Sequence, residues 1–282
     1  MRVPGASGAG RREKYMAAER KVAISVRDLV KSFDGRMVLE NVSLDIYQGE
    51  TFIILGGSGC GKSTLLRHMT GAIKPDSGQV FFGDTDLTTA SEIEKEKIKR
   101  KFGMSFQSAA LMDYLNVEEN VALPLVEHTQ LDPKIISVIV KMKLSLVGLA
   151  GFEHLMPSML SGGMKKRVGL ARAIALDPEV VFYDEPSAGL DPVVCAVVDK
   201  LILDLNKKLL LTSVVVTHNM ESVFRIADRV AMLHDGKVLE IGTPAQIKDS
   251  KNPIVQQFIK GEIDGPINFL DRSPKAVAGG AD

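Results

Sequence analysis

The stretch TFIILGGSGCGKSTLLRHMTG, residues 51–71, limits what this chain can fold into more than any other. Its opening apolar residues read as a buried strand, residues 56–63 match GxxxxGK(S/T), and the residues that follow read as a helix closed by Gly71. A motif this short arises by chance, but a strand before it and a helix after it supply the context in which it has a mechanism. Gly56, Gly57, Gly59 and Gly61 leave backbone N–H groups free to wrap a polyphosphate, and the helix N-terminus favours its charge. Lys62 reaches the outer phosphate oxygens, Ser63 offers a hydroxyl to Mg2+, and Ser58, Cys60 and Thr64 complete the contact stretch. Cys60 reads first as a small loop residue, with redox sensing as the lesser reading. It and Cys195 lack the spacing of a metal site and fit a reducing compartment better than a disulfide scaffold.

A second feature belongs with this loop. In VVFYDEP, residues 180–186, four apolar residues form a strand that delivers Asp184 and Glu185 to its carboxyl end, where open α/β sheets bind ligands. Asp184 is expected to hold hydrated Mg2+ through a water, and Glu185, one residue on, to polarise an attacking water. An acidic strand end in solvent is the plain alternative for an isolated Asp-Glu pair. It loses weight when a phosphate loop precedes the pair in the same chain.

The rest of the chain supports an alternating α/β layout. SVVVTH, residues 213–218, is another buried strand, and residues 193–208 read as a helix, so a parallel sheet with crossover helices is expected. Residues 22–30 and 38–50 read as strands, the second with period-two apolar positions at Val42, Leu44 and Ile46. Helical periodicity dominates residues 108–175, and DRVAMLHDGKVLEIG reads as a hairpin turning at Asp235-Gly236. Residues 1–20 have basic residues but no apolar h-region and are read as a flexible tail, and residues 261–282 as a C-terminal tail. No apolar run reaches the ~20 residues of a membrane-spanning helix. Lys plus Arg balance Asp plus Glu at 35 each, so overall charge gives no reason to expect nucleic acid as a partner.

Taken in order, GGSGCGKST, Phe106-Gln107, LSGGM, VVFYDEP, SAGLDP and VTH resemble the nucleotide-binding subunits of ABC transporters over residues 21–260. The resemblance implies a P-loop NTPase with a RecA-like parallel sheet core, an antiparallel β subdomain and an inserted α-helical subdomain carrying LSGGM. It implies ATP with Mg2+, and a homodimer in which the phosphate loop of one copy and Ser161, Gly162 and Gly163 of the other sandwich each nucleotide. Gln107 is then the residue that touches Mg2+ or the attacking water. His218 contacts the γ-phosphate, and Asp191 lies at the dimer interface. Read without the family, Gln107 is a loop glutamine, His218 a structural strand-end histidine and Asp191 the N-cap of the next helix. Phe33 is the candidate for stacking on adenine, with a core aromatic as the other reading.

Met164, VEENVALPL, EPSAGLDP and GEIDGPI narrow the resemblance to ATPases of the Mla or Mce type. That type implies lipid transport through a separate transmembrane permease at the cytoplasmic face of a bacterial inner membrane. It also implies an MCE lipid-binding protein and, in some systems, a STAS-domain partner. An amino-acid or osmolyte importer uses the same motifs, and a soluble ABC ATPase of translation or DNA repair is the more distant alternative. Ala109, Ala110, Leu111, Met112 and Leu115 follow Gln107 where a permease coupling helix would dock, unless they only pack the helical subdomain. Ser161 sits where an N-cap should. Met164 stands where the family has Gln, so the return bond of a capping box is expected to be missing.

Overall fold

In the computed structural model, which describes residues 21–267, the continuous apolar runs form the interior strands of a sheet. The first two strands, β1 (Val22–Phe33) and β2 (Arg36–Tyr47), form an antiparallel hairpin. Next come β3 (Thr51–Leu55), helix α1 (Lys62–Met69), β4 (Ser77–Phe82), β5 (Thr85–Asp86), α2 (Glu92–Lys99) and β6 (Phe102–Ser105). Three helices, α3 (Val117–His128), α4 (Pro133–Leu146) and α5 (Gly162–Ala173), are inserted before β7 (Val180–Asp184). The chain then runs through α6 (Pro192–Leu209), β8 (Thr212–Thr217), α7 (Met220–Ile226), β9 (Arg229–His234), β10 (Lys237–Gly242), α8 (Pro244–Lys248) and α9 (Pro253–Lys260).

Two sheets result. One is antiparallel, in the order β2-β1-β4-β5; the other has the order β10-β9-β3-β8-β7-β6, parallel except for the β9–β10 hairpin. Strands β3 and β8 are buried along their whole length, Thr51, Thr212, Ser213 and Thr217 included, so neither shows the alternation of a half-exposed strand. Their side chains divide by parity. Ile53, Leu55, Val181, Tyr183 and Val215 join the core beneath the inserted helices, with Val121, Val140, Leu144 and Val168. Phe52, Ile54, Phe182, Val214 and Val216 join a second core under the antiparallel sheet, with Val26, Leu29 and the alternating Val42, Leu44 and Ile46. The single period of two along each strand therefore builds both layers at once.

Three helices open with complete capping boxes, Ser91 with Glu94, Asn116 with Glu119 and Thr243 with Gln246. The tail read from residue 261 onward begins folded. Gly261, at φ 66°, caps α9, and the chain turns back so that Ile267 is buried and Gln257 grips it through both backbone groups. The N-terminal tail and the rest of the C-terminal one lie outside the described residues. Among the described residues no helix is long and apolar enough to cross a membrane.

Candidate functional site

The carboxyl ends of β3, β7 and β8 bring the candidate residues together. After β3 the chain enters residues 56–61, where Gly59 and Gly61 take φ of 77° and 106°. Gly61 is the N-cap of α1, and a Cβ there would lie 2.8 Å from both the Val38 carbonyl and Leu39 of β2. Only glycine meets both demands, so β2 presses the loop into shape. Lys62, 8% exposed, donates to the carbonyls of Gly56 at 2.8 Å and Gly57 at 2.9 Å. Its ammonium also stands 4.0 Å from the carboxylate of Glu185. The Cys60 thiol is buried, and that burial pushes its ionisation up, which favours the packing reading over the redox one.

The loop and the acidic strand end meet directly. Ser63 donates to Asp184 at 3.3 Å. Burial raises the Asp184 carboxyl above its ordinary value; the Ser63 hydrogen bond opposes this and the neighbouring Glu185 adds to it. Glu185 leaves β7 in a left-handed conformation, φ 47°, while its N–H still bonds the Val216 carbonyl of β8 at 2.9 Å. That turn separates the two carboxylates: Asp184 faces Ser63, and Glu185 meets Nδ1 of His218 at 2.9 Å. His218 follows β8 and is exposed apart from this contact, so it is not packed as a structural histidine. Gln107, just beyond β6, lines an open groove with Phe106, Ser108, Asp184, Ala188 and Gly189.

A separate groove is lined by Ser161, Gly162 and Gly163 together with Gly189, Leu190 and Asp191, and no residue of 56–64 reaches it. Ser161 is the N-cap of α5 and accepts from Met164 N–H at 3.2 Å, with no return bond from residue 164. Half of the capping box is therefore present. Asp191 caps α6 through bonds from Val193 and Val194, both 3.0 Å, which realises its plain reading without removing it from the groove. Phe33 is 45% exposed, with the Lys31 ammonium 5.3 Å from its ring centre, so the core-aromatic reading fails. Of the candidate docking residues, Ala109 is buried while Met112 is exposed, as is Tyr114 beside it, so packing and presentation are divided along one segment.

Two cations outside the motifs also reach the site. Lys166, 7% exposed, donates to the Gln107 carbonyl and, at 3.4 Å, to that of Glu185. Arg172 donates to the carbonyls of Ala109 and Ala110 at 2.6 and 2.7 Å. The signal was available for Lys166: it stands four and seven positions before the buried Leu170 and Ala173, a charge on the buried stripe of α5.

A phosphate loop joined to an acidic strand end on a parallel sheet, with an inserted helical unit and a paired antiparallel sheet, defines an ATP-binding cassette. The ABC transporter family matches residues 39–188, and the chain belongs to it. It is 44% identical over 246 residues to the intermembrane phospholipid transport system ATP-binding protein MlaF of Haemophilus influenzae, covering 87% of this chain and 93% of that one. MlaF of Escherichia coli K12 is 42% identical over 87% of this chain and 91% of its own length. The probable ribonucleotide transport ATP-binding protein mkl of Mycobacterium tuberculosis H37Rv is 40% identical over 91% of this chain and 71% of its own length. Among solved structures, a dimeric ATP-binding cassette in a post-hydrolysis state with ADP and Pi superposes with a TM-score of 0.72 at 31% identity, covering 78% of this chain and 98% of that one. The chain is thus an ABC-type ATPase, a nucleotide-hydrolysing cassette of the transporter class.

Proposed function

We propose that this chain powers phospholipid transport between bacterial membranes, from the cytoplasmic face of the inner membrane, through a permease with an MCE lipid-binding protein and a STAS-domain partner. The observation that carries the cargo is the 44% identity, over nearly the whole of both chains, to a phospholipid transport ATPase. Exposed Met112 and Tyr114 are the proposed contact with the permease, and Leu111, half-buried beside them, ties that contact to the helical core.

At the site, residues 56–64 wrap the phosphates of ATP and Phe33 stacks on its adenine. The donors suit Mg2+: a hydroxyl, a carboxylate and an amide oxygen are hard ligands, and those of Ser63 and Asp184 already lie 3.3 Å apart. Ser63 and Gln107 are the residues that would hold it, with Asp184 acting through a bound water. When present, Mg2+ neutralises charge on the outer phosphate oxygens. Lys62 exchanges its loop carbonyls for those oxygens. Glu185 orients the attacking water and takes up its proton, while His218, bonded to Glu185, faces the γ-phosphate. Ser161 and the N–H groups of Gly162 and Gly163 complete the partner's site, and Asp191 meets the partner across the same groove.

Purification of the native membrane complex with mass spectrometry of its bound small molecules tests the cargo. Co-purified phospholipid, with ATP turnover that responds to added phospholipid vesicles, is expected. Bound ribonucleotide or solute other than the substrate ATP, with no phospholipid, would overturn the assignment.

A further inference from the structure

Helix α5 reaches into the catalytic end of its own subunit with two cations, and both act on strained backbone. Ala109 and Ala110 are consecutive left-handed residues, φ 62° and 46°, and Glu185 is left-handed as well. Non-glycine residues persist in such conformations only where their surroundings over-determine them. Here the surroundings are α5. Arg172 holds the carbonyls of both alanines, and Lys166 spans the carbonyls of Gln107 and Glu185. Between the two cations Gly169 lets the loop lie close: a Cβ at 169 would come within 3.3 Å of the Ala109 Cβ. Burial costs both cations, lowering the pKa of each, so the protein retains them against a desolvation penalty that the carbonyls offset.

We propose that Lys166 is a positioning residue for hydrolysis: by bridging the Gln107 and Glu185 carbonyls it fixes the backbone from which those two side chains reach the γ-phosphate. A carbonyl's direction sets its peptide plane, and so sets where the flanking side chain starts. Arg172 extends the tie, so that α5 and residues 107–110 move as one body. The N-terminus of α5 carries Ser161, which lies in the groove assigned to the partner's ATP. Engagement of that ATP therefore adjusts Glu185 in the engaging subunit's own site, linking the two sites of the dimer through five residues of helix. The inference rests on the roles assigned above to Glu185 and Gln107.

The test uses the full-length chain with Lys166→Met, Lys166→Arg and Gly169→Ala, measuring kcat, KM for ATP, equilibrium ATP binding and thermal unfolding. Lys166→Met is expected to lower kcat about tenfold with KM and binding within about twofold, the pattern of a lost transition-state contribution. Lys166→Arg is expected to restore most of kcat, because a guanidinium also donates to two carbonyls. Gly169→Ala, which favours the helix, should keep thermal stability while lowering kcat by about threefold or more as the loop is displaced. A folded Lys166→Met protein with unchanged kcat overturns the proposal, as does a loss of kcat matched by loss of ATP binding or not restored by Arg. If Lys166→Met does not fold, unchanged kcat in folded Gly169→Ala overturns it. A Glu185→Gln protein that still turns over would instead remove the assigned role of Glu185, whatever Lys166 does.

Discussion

Glu185 shows how much chemistry one backbone conformation carries. Its left-handed φ parts it from Asp184, so adjacent carboxylates serve Ser63 and His218 separately. Nothing in VVFYDEP announces this, because a positive φ in a non-glycine residue depends on what surrounds it. What the string does reveal is the acid pair at a strand's carboxyl edge. Glu185→Gln is expected to lower kcat by about a thousandfold or more while ATP binding is kept, as removal of a water-orienting base should. Lys62→Ala is expected to weaken ATP binding itself, measured by calorimetry, since the ammonium is the loop's only side-chain cation near those carbonyls. Met164→Gln should leave turnover within about threefold, because the groove presents Ser161 and the glycines rather than residue 164.

The elements were the most legible part of the chain. Strands β3, β7 and β8 could be read from the short runs FIIL, VVFY and VVV because burial on two faces leaves no exposed polar side to show. The helices α1 and α6 announced themselves through Gly61 and Asp191 at their starts. Less legible was how one element acts on another: the helical spacing shows Lys166 on a buried stripe, but not which carbonyls it and Arg172 hold beyond β6 and β7. Helix α1 carries a further dependence of this kind. His68 is buried, its Nδ1 bonded to the Thr64 carbonyl at 2.8 Å and its Nε2 without a hydrogen-bond partner among the described residues. Burial holds its folded pKa below the ordinary 6.5, so the unfolded chain binds the proton more tightly. Its share of stability is complete above pH 6.5 and shrinks as pH falls through that value toward the folded pKa. Thermal unfolding at pH 7.5 and pH 5.5 should show a smaller drop in Tm for a folded His68→Gln protein than for the unchanged chain. An equal drop would remove His68 from the account.

At the scale of the whole molecule, the groove at the LSGGM helix start is lined by no residue of the phosphate loop. The order of motifs anticipated that both are needed, but only the dimer of the family explains why each subunit carries two halves that do not meet. In the proposed function a complete ATP site is made from two copies, Ser161 and its glycines closing over a nucleotide held by residues 56–64 of the other. Sedimentation of the Glu185→Gln protein with and without ATP and Mg2+ tests it most directly, repeated with Gly162→Asp added to place a carboxylate against the γ-phosphate. An ATP-dependent shift from monomer to dimer is expected for Glu185→Gln alone, and a monomer that still binds ATP for the double variant. Equal ATP-dependent dimerisation of the two proteins would contradict the two-copy site.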